Sequence, residues 1–129
     1  MKREIWVFTI LVTILTGCTK DHALLSNCGT CPVISFKTDV IPIFAQNCAT
    51  SGCHLGQFPA GNISLDSASA YTQATKPGTG YIHAGSPSTS ILLEQLYPEG
   101  MPHMPLTGQL NDCDIQKISC WIQQGAANN

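Results

Sequence analysis

The chain has 129 residues, a formal net charge of −2 and only 11% charged residues. It has no basic run and no interleaving of basic with aromatic residues that could neutralise phosphates, which argues against a nucleic-acid partner. Its length suits one domain with a single modest core and argues against a second domain.

The first 18 residues have the features of an export signal. Lys2 and Arg3 form a basic start, and the apolar run over residues 5–16 is shorter than the ~20 residues that span a bilayer. The small residues before Cys18 resemble the lipobox of bacterial lipoproteins, in which the signal is removed and the new N-terminal cysteine carries a lipid. The alternative is an ordinary secretory signal with a chance cysteine. Both interpretations predict export from the cytoplasm, and Thr19, in place of an acidic residue, favours the outer membrane.

Residues 19–35 contain few large apolar side chains and predict a tether that leads to a domain over residues 36–129. At the start of this domain, Asp39 can cap a helix from Val40 to about Asn47. Pro42 then falls in the first turn, where a missing N–H is harmless.

The second half of the domain also has helical patterns. Residues 66–74 predict a short helix, and Ser86-Pro87 predicts the start of another that ends before Pro98. Residues 101–108 contain two prolines and predict irregular structure.

The final helix has the clearest signals. Asn111 is its predicted cap, and Gly125 follows its last turn. No stretch has the alternation of apolar and polar residues that is typical of strands. The sequence therefore predicts an all-α domain of about four short helices with long loops.

The segment Cys48-Ala-Thr-Ser-Gly-Cys53-His54 resembles the attachment motif of c-type cytochromes, Cys-x-x-Cys-His. Two thiols can add to the vinyl groups of a haem while the next imidazole coordinates the iron. This segment has four residues between the cysteines, so the additional ones must loop outward, and Ser51-Gly52 gives the flexibility for that. One alternative is a Cys48–Cys53 disulfide with a surface His54. Another is a zinc site that also uses Cys28 and Cys31, although thiols in an oxidising compartment tend to pair.

From Phe36 to Ala127 the chain resembles the small monohaem cytochrome c domains of bacterial lipoproteins. The resemblance is carried by Asp39-Val40-Ile41-Pro42-Ile43-Phe44, Gly52-Cys53-His54, Ser90-Ile91-Leu92, the methionine–proline loop and Trp121-Ile122-Gln123-Gln124-Gly125-Ala126. It implies a cytochrome c-like fold around one covalent haem c, with thioether bonds at Cys48 and Cys53 and with His54 as the proximal iron ligand.

The resemblance also implies a distal ligand in the methionine–proline loop. Met104 is preferred because the distance from Met104 to the final helix matches the family, with Met101 as the next candidate and His103 as the third. Each methionine could instead fill the core. The indole N–H of Trp121 could donate to a haem propionate, or its ring could pack against the first helix.

Seven cysteines are present. If Cys18 takes lipid and two others take haem, four remain for disulfides: Cys28, Cys31, Cys113 and Cys120. The last two are ~10 Å apart along a helix, and the first two are equally far apart in an extended tether. A disulfide needs Cα atoms within ~7 Å. We therefore expect the tether to lie along the outer face of the final helix, held by cross-paired bridges; the alternative is a local Cys28–Cys31 bridge with two reduced thiols.

Together these features predict an electron carrier, and not an enzyme, that is lipid-anchored on the periplasmic or cell-surface side of a bacterial membrane. Its partners would be redox proteins that dock transiently and have basic or mixed surfaces. One alternative is a haem peroxidase or gas sensor with an open sixth site. Another is a disulfide-rich structural lipoprotein without a cofactor.

Overall fold

The structure is a computed structural model and describes residues 28–129. The predicted export signal, Cys18 and the first part of the predicted tether lie outside the described residues. Between Cys28 and Asn129 the chain forms helices and no strands, which confirms the helical class for this part. Its α-helices are α1 (Ile41–Asn47), α2 (Ala70–Ala74), α3 (Ile91–Leu96) and α4 (Asp112–Gln123).

Long loops join these helices, with short helical turns at Phe36–Val40, Ala60–Asn62 and Pro87–Thr89. Phe36–Val40 is a π-helical turn that leads directly into α1, and the other two are 3-10 turns. No helix within residues 28–129 has both the length and the apolar character needed to cross a bilayer.

The first helical segment begins earlier than predicted, because Ser35 and not Asp39 is its cap. The Ser35 hydroxyl accepts a hydrogen bond from the Thr38 N–H at 3.3 Å. In return, the Asp39 carboxylate accepts one from the Ser35 N–H at 2.8 Å. This reciprocal pair satisfies two N–H groups at the helix start, as a capping box does. The predicted cap at Asp39 is therefore wrong.

The helices in the middle of the chain are shorter than predicted. Asp66 accepts hydrogen bonds from the N–H groups of Ala68 and Ser69 and holds a turn, so α2 begins only at Ala70. Ser90 has an extended backbone that separates the Pro87–Thr89 turn from α3. The buried Ser90 hydroxyl accepts from the His83 N–H at 2.9 Å, so a tertiary contact interrupts the predicted helix there.

Helix α4 has the ends that the sequence predicts. The Asn111 side chain accepts a hydrogen bond from the Asp114 N–H at 2.9 Å. Gly125, just past the final turn, has a φ of 99°, which favours glycine. The buried face of α4 contains Ile115, Ile118 and Ile122.

Aromatic rings join the first helical segment to α4. Phe36 packs on Trp121 with ring centroids 4.9 Å apart, and Tyr71 packs against both rings. Trp121 is 1% exposed, and its indole N–H donates to the Ala127 carbonyl at 2.9 Å. Of the two roles considered for Trp121, the structure shows core packing.

Two disulfides hold residues 28–31 against α4. Cys28 bonds to Cys113 and Cys31 bonds to Cys120, with Cα atoms 5.2 and 5.6 Å apart. The predicted cross-pairing is confirmed, and the local Cys28–Cys31 bridge is wrong. Both bridges are consistent with an extracytoplasmic location.

Side-chain amides of α4 and its C-terminal cap reinforce this attachment. The Gln116 amide donates to the Gly29 carbonyl at 2.8 Å. Gln124 donates to the Pro32 carbonyl and accepts from the Ile34 N–H. The tether therefore lies along α4 from Cys28 to Ile34.

Candidate functional site

A cavity of about 400 Å³ lies at the opposite end of α1 from Phe36. Its volume is within the ~300–1,000 Å³ that small-molecule and cofactor sites occupy. The wall is largely apolar and includes Phe44 from α1, Leu92 and Leu96 from α3, and Ile63 and Leu65 from the intervening loop.

Cys48 and Cys53 both line this cavity. They are the free cysteines of the described residues, since Cys28, Cys31, Cys113 and Cys120 are in disulfides. The structure therefore has no Cys48–Cys53 bridge. A zinc site that draws on Cys28 and Cys31 is contradicted as well. No cluster of three or more His, Cys, Asp or Glu side chains within residues 28–129 could hold a metal ion.

The segment between the two cysteines is closed by its own backbone. Helix α1 ends at Asn47, and the Cys48 carbonyl accepts a hydrogen bond from the His54 N–H at 3.1 Å. The Cys53 N–H donates to the Thr50 carbonyl. Gly52 is exposed, has a φ of 82° and has open space around it. The additional residues of this segment thus lie at the surface, as expected, while His54 stays next to Cys48.

Burial raises the pKa of the Cys48 thiol from 9.0 to about 11. The main cause is desolvation, because a thiolate loses its hydration in this environment. Repulsion from the Cys53 thiolate raises the pKa further. The raised pKa keeps the Cys48 thiol protonated at pH values at which an ordinary thiol would ionise.

The imidazole of His54 lines the cavity and is oriented by a backbone carbonyl. Its Nδ1 is 3.1 Å from the Ile63 carbonyl oxygen. A carbonyl only accepts, so Nδ1 is the donor in this hydrogen bond, and in the neutral imidazole Nε2 keeps its lone pair. The backbone of the segment is fixed too, because the His54 carbonyl accepts from the Leu65 N–H at 2.8 Å. This arrangement, with Nδ1 donating to a carbonyl, is one that histidines binding a metal through Nε2 commonly have.

Met104 lines the same cavity, whereas Met101 and His103 are not among the lining residues. The Met104 N–H donates to the Gln95 carbonyl on α3 at 2.7 Å, which ties this part of the loop to a helix. Met101 is 91% exposed. His103 is half-buried, and its Nε2 has no hydrogen-bond partner. The structure thus brings Met104 together with Cys48, Cys53 and His54.

The polar part of the wall is uncharged. It includes Gln46, Asn47, Gln95 and Gln109, and no Asp, Glu, Lys or Arg of the described chain lines the cavity. Such a wall suits a large, mainly apolar ligand that is oriented by a few polar contacts.

Sequence reasoning missed the two backbone carbonyls that orient the site. Ile63 supplies the acceptor for His54, and Gln95 supplies the acceptor for the Met104 N–H. Every residue has a carbonyl, so no residue type could have identified these two positions.

Comparisons of the chain with protein-family models, with curated proteins and with solved structures found no match. The functional interpretation therefore depends on the residues and geometry of the cavity.

Proposed function

We propose that this protein is a c-type cytochrome that carries single electrons outside the cytoplasm. One haem c would occupy the cavity, with thioether bonds to Cys48 and Cys53 and with His54 as the proximal iron ligand. The observation that carries the proposal is the joint placement, in one apolar cavity, of the free thiol pair, an imidazole with a fixed tautomer and a thioether. When bound, the haem supplies the one-electron redox chemistry.

The chemistry of the cysteines fits this cofactor. Four cysteines of the described chain form disulfides, while Cys48 and Cys53 face the cavity as thiols. In an oxidising compartment unused thiols usually pair. A covalent cofactor gives both thiols a role and explains why they are adjacent to a histidine.

The hydrogen bond from His54 to Ile63 supports the role of the imidazole as an iron ligand. Ligating histidines commonly donate their other ring N–H to a carbonyl or carboxylate, which fixes the ring and raises the basicity of the ligating nitrogen. Here Nδ1 donates to Ile63, and Nε2 is the nitrogen that would bind iron.

Met104 supports an electron carrier over a haem enzyme or sensor with an open sixth site. A thioether in the cavity wall can fill the sixth position, and a soft neutral ligand favours reduced iron. The uncharged wall adds to this preference, because burial in apolar surroundings disfavours the additional positive charge of oxidised haem. Met101 is exposed and His103 lies outside the wall, so Met104 is the proposed distal ligand.

The proposal includes a cytochrome c-like fold and attachment to a bacterial membrane through lipid on Cys18, with the outer membrane favoured by Thr19. Its partners would be redox proteins that dock transiently. The helical architecture, the two disulfides and the export signal predicted from the sequence support this assignment.

Expression of the full chain in a bacterium that attaches haem to exported proteins tests the proposal. The purified protein should show a Soret band and keep its haem on a denaturing gel. Cys53→Ala and His54→Ala should each lose attachment or yield little stable protein. A matched control is the pair Cys28→Ala and Cys113→Ala, which also removes cysteines but should keep the haem. A wild-type protein without covalent haem would contradict the proposal.

The distal ligand has its own test. Met104→Ala should keep covalent haem, lower the reduction potential and allow the reduced protein to bind carbon monoxide, whereas the wild type should not bind it. Met101→Ala is the matched control and should behave as the wild type. An unchanged potential in Met104→Ala would assign the ligand to Met101 or His103.

A further inference from the structure

Gly100 makes the closest backbone approach of any described glycine. It is buried in the loop after α3, and its N–H donates to the Tyr97 carbonyl at 2.9 Å. A Cβ at this position would lie 2.7 Å from both the Gln95 Cα and the Glu94 carbonyl oxygen. These are backbone atoms of α3, so a rotamer change cannot relieve the contact.

The requirement for glycine at this position is one of space. Gly100 is not among the glycines with positive φ, so a left-handed backbone is not the reason for glycine here. The obstacle to a side chain is the close packing of the loop on the last turn of α3.

The same turn of α3 also holds Met104. Gln95, whose Cα approaches Gly100, uses its carbonyl to accept the Met104 N–H at 2.7 Å. The loop is therefore fixed on α3 at both Gly100 and Met104, with only three residues between them. Pro102 restricts the backbone of that short stretch and leaves it little slack.

We propose that Gly100 is a positioning residue that sets the location of the Met104 thioether in the cavity. This inference rests on the proposed function, because its consequence concerns the distal ligand of a haem. In Gly100→Ala, the loop must move by roughly 1 Å to restore an ordinary contact of about 3.5–4.0 Å. Metal–ligand distances vary by only about 0.2 Å. A shift of this size, transmitted to Met104, would take its sulfur out of bonding distance of a haem iron held in the cavity.

The test compares the wild type, Gly100→Ala, Met104→Ala and the double variant as haem-loaded proteins. Carbon monoxide binding to the reduced protein and the reduction potential are measured for each. Wild type should exclude carbon monoxide, and Gly100→Ala should bind it and shift in potential towards Met104→Ala. In the double variant, Gly100→Ala should add nothing, because the bond that it weakens is already absent.

Gly125→Ala is the matched control, since it adds the same methyl group at a glycine with a φ of 99° and open space around it. It should lower the melting temperature through backbone strain and leave carbon monoxide excluded. A second variant inserts one glycine between Gly100 and Met101. It lengthens the loop without a steric clash and should also allow carbon monoxide to bind. The inference therefore stays testable if Gly100→Ala fails to fold.

The outcomes separate this inference from the proposed function. The role of Gly100 is overturned if both loop variants keep covalent haem, still exclude carbon monoxide and have an unchanged reduction potential. That result leaves the cytochrome assignment intact. Additive effects in the double variant overturn it too, as does a haem-loaded wild type that binds carbon monoxide. A wild type without covalent haem overturns the proposed function itself.

Discussion

The fold changes the acid–base chemistry of the Cys48 thiol. This thiol lies between the end of α1 and the cavity, where desolvation and the neighbouring Cys53 raise its pKa from 9.0 to about 11. Between these two pH values the unfolded chain releases a proton that the folded chain retains. By linkage, the free energy of unfolding falls as the pH rises through this interval.

The haem-free protein should therefore lose stability between pH 9 and about 11 in a manner that depends on Cys48. Thermal melts of wild type and Cys48→Ala across this range measure the difference, and the wild-type curve should fall more steeply. Cys53→Ala is the matched control. It should keep most of the slope, because desolvation is the larger cause of the shift. Parallel curves for wild type and Cys48→Ala would contradict the buried position of this thiol.

Side-chain chemistry could be predicted at the site, whereas backbone chemistry could not. The resemblance to monohaem cytochrome c domains implied a common site for Cys48, Cys53, His54 and Met104, and all four residues line one cavity. The carbonyls of Ile63 and Gln95 became identifiable only when the fold placed them opposite His54 and the Met104 N–H.

Among the helical elements, the start of the first segment depends on Ser35. Its hydroxyl accepts from the Thr38 N–H and donates to the Asn129 carbonyl. Ser35→Ala should destabilise the protein by about 1 kcal/mol, the typical cost of losing an N-cap. Denaturant unfolding measures this as a lower midpoint with an unchanged slope.

The exposed Ser88, in the Pro87–Thr89 turn, is the matched control for Ser35. Ser88→Ala should change the free energy of unfolding by no more than about 0.5 kcal/mol, as is usual for surface substitutions. Equal midpoints for the two variants would show that Ser35 does not cap the segment.

The two ends of the domain show which helix limits a sequence can predict. Asn111 and Gly125 bound α4 through local hydrogen bonds and φ preference, so its limits follow from nearby residues alone. At the first segment, Asp39 satisfied the local rule for a cap, but Phe36 is 3% exposed and packs on Trp121. Because of this contact with a residue distant in sequence, Phe36 belongs to the helical segment, and the cap lies at Ser35.

For the whole molecule, the two disulfides close almost the entire described chain. Cys28–Cys113 and Cys31–Cys120 span 85 and 89 residues and join the same two segments. Once one bridge is formed, the other closes only a small loop of roughly ten residues, made from 28–31 and 113–120. Either bridge alone therefore closes the large loop and causes the large reduction in the entropy of the unfolded chain.

This sharing predicts a specific departure from additivity. Replacing one cysteine pair by alanine should destabilise the haem-free protein by about 2–3 kcal/mol, the chain-entropy value for a loop of roughly ten residues. Replacing all four should cost about 7 kcal/mol, because the large loop, worth about 4–5 kcal/mol by itself, is then also open. Guanidinium unfolding of the two double variants and the quadruple variant should thus show a loss greater than the sum of the two.

Cys120 is 1% exposed, so the Cys31–Cys120 pair also loses some core packing when replaced, and it should be the costlier of the two. That packing loss occurs equally in the quadruple variant and cancels in the comparison. The excess over additivity therefore reports only the shared loop. If the quadruple variant loses no more stability than the two double variants lose together, the amides of Gln116 and Gln124 keep the tether on α4 without either bridge.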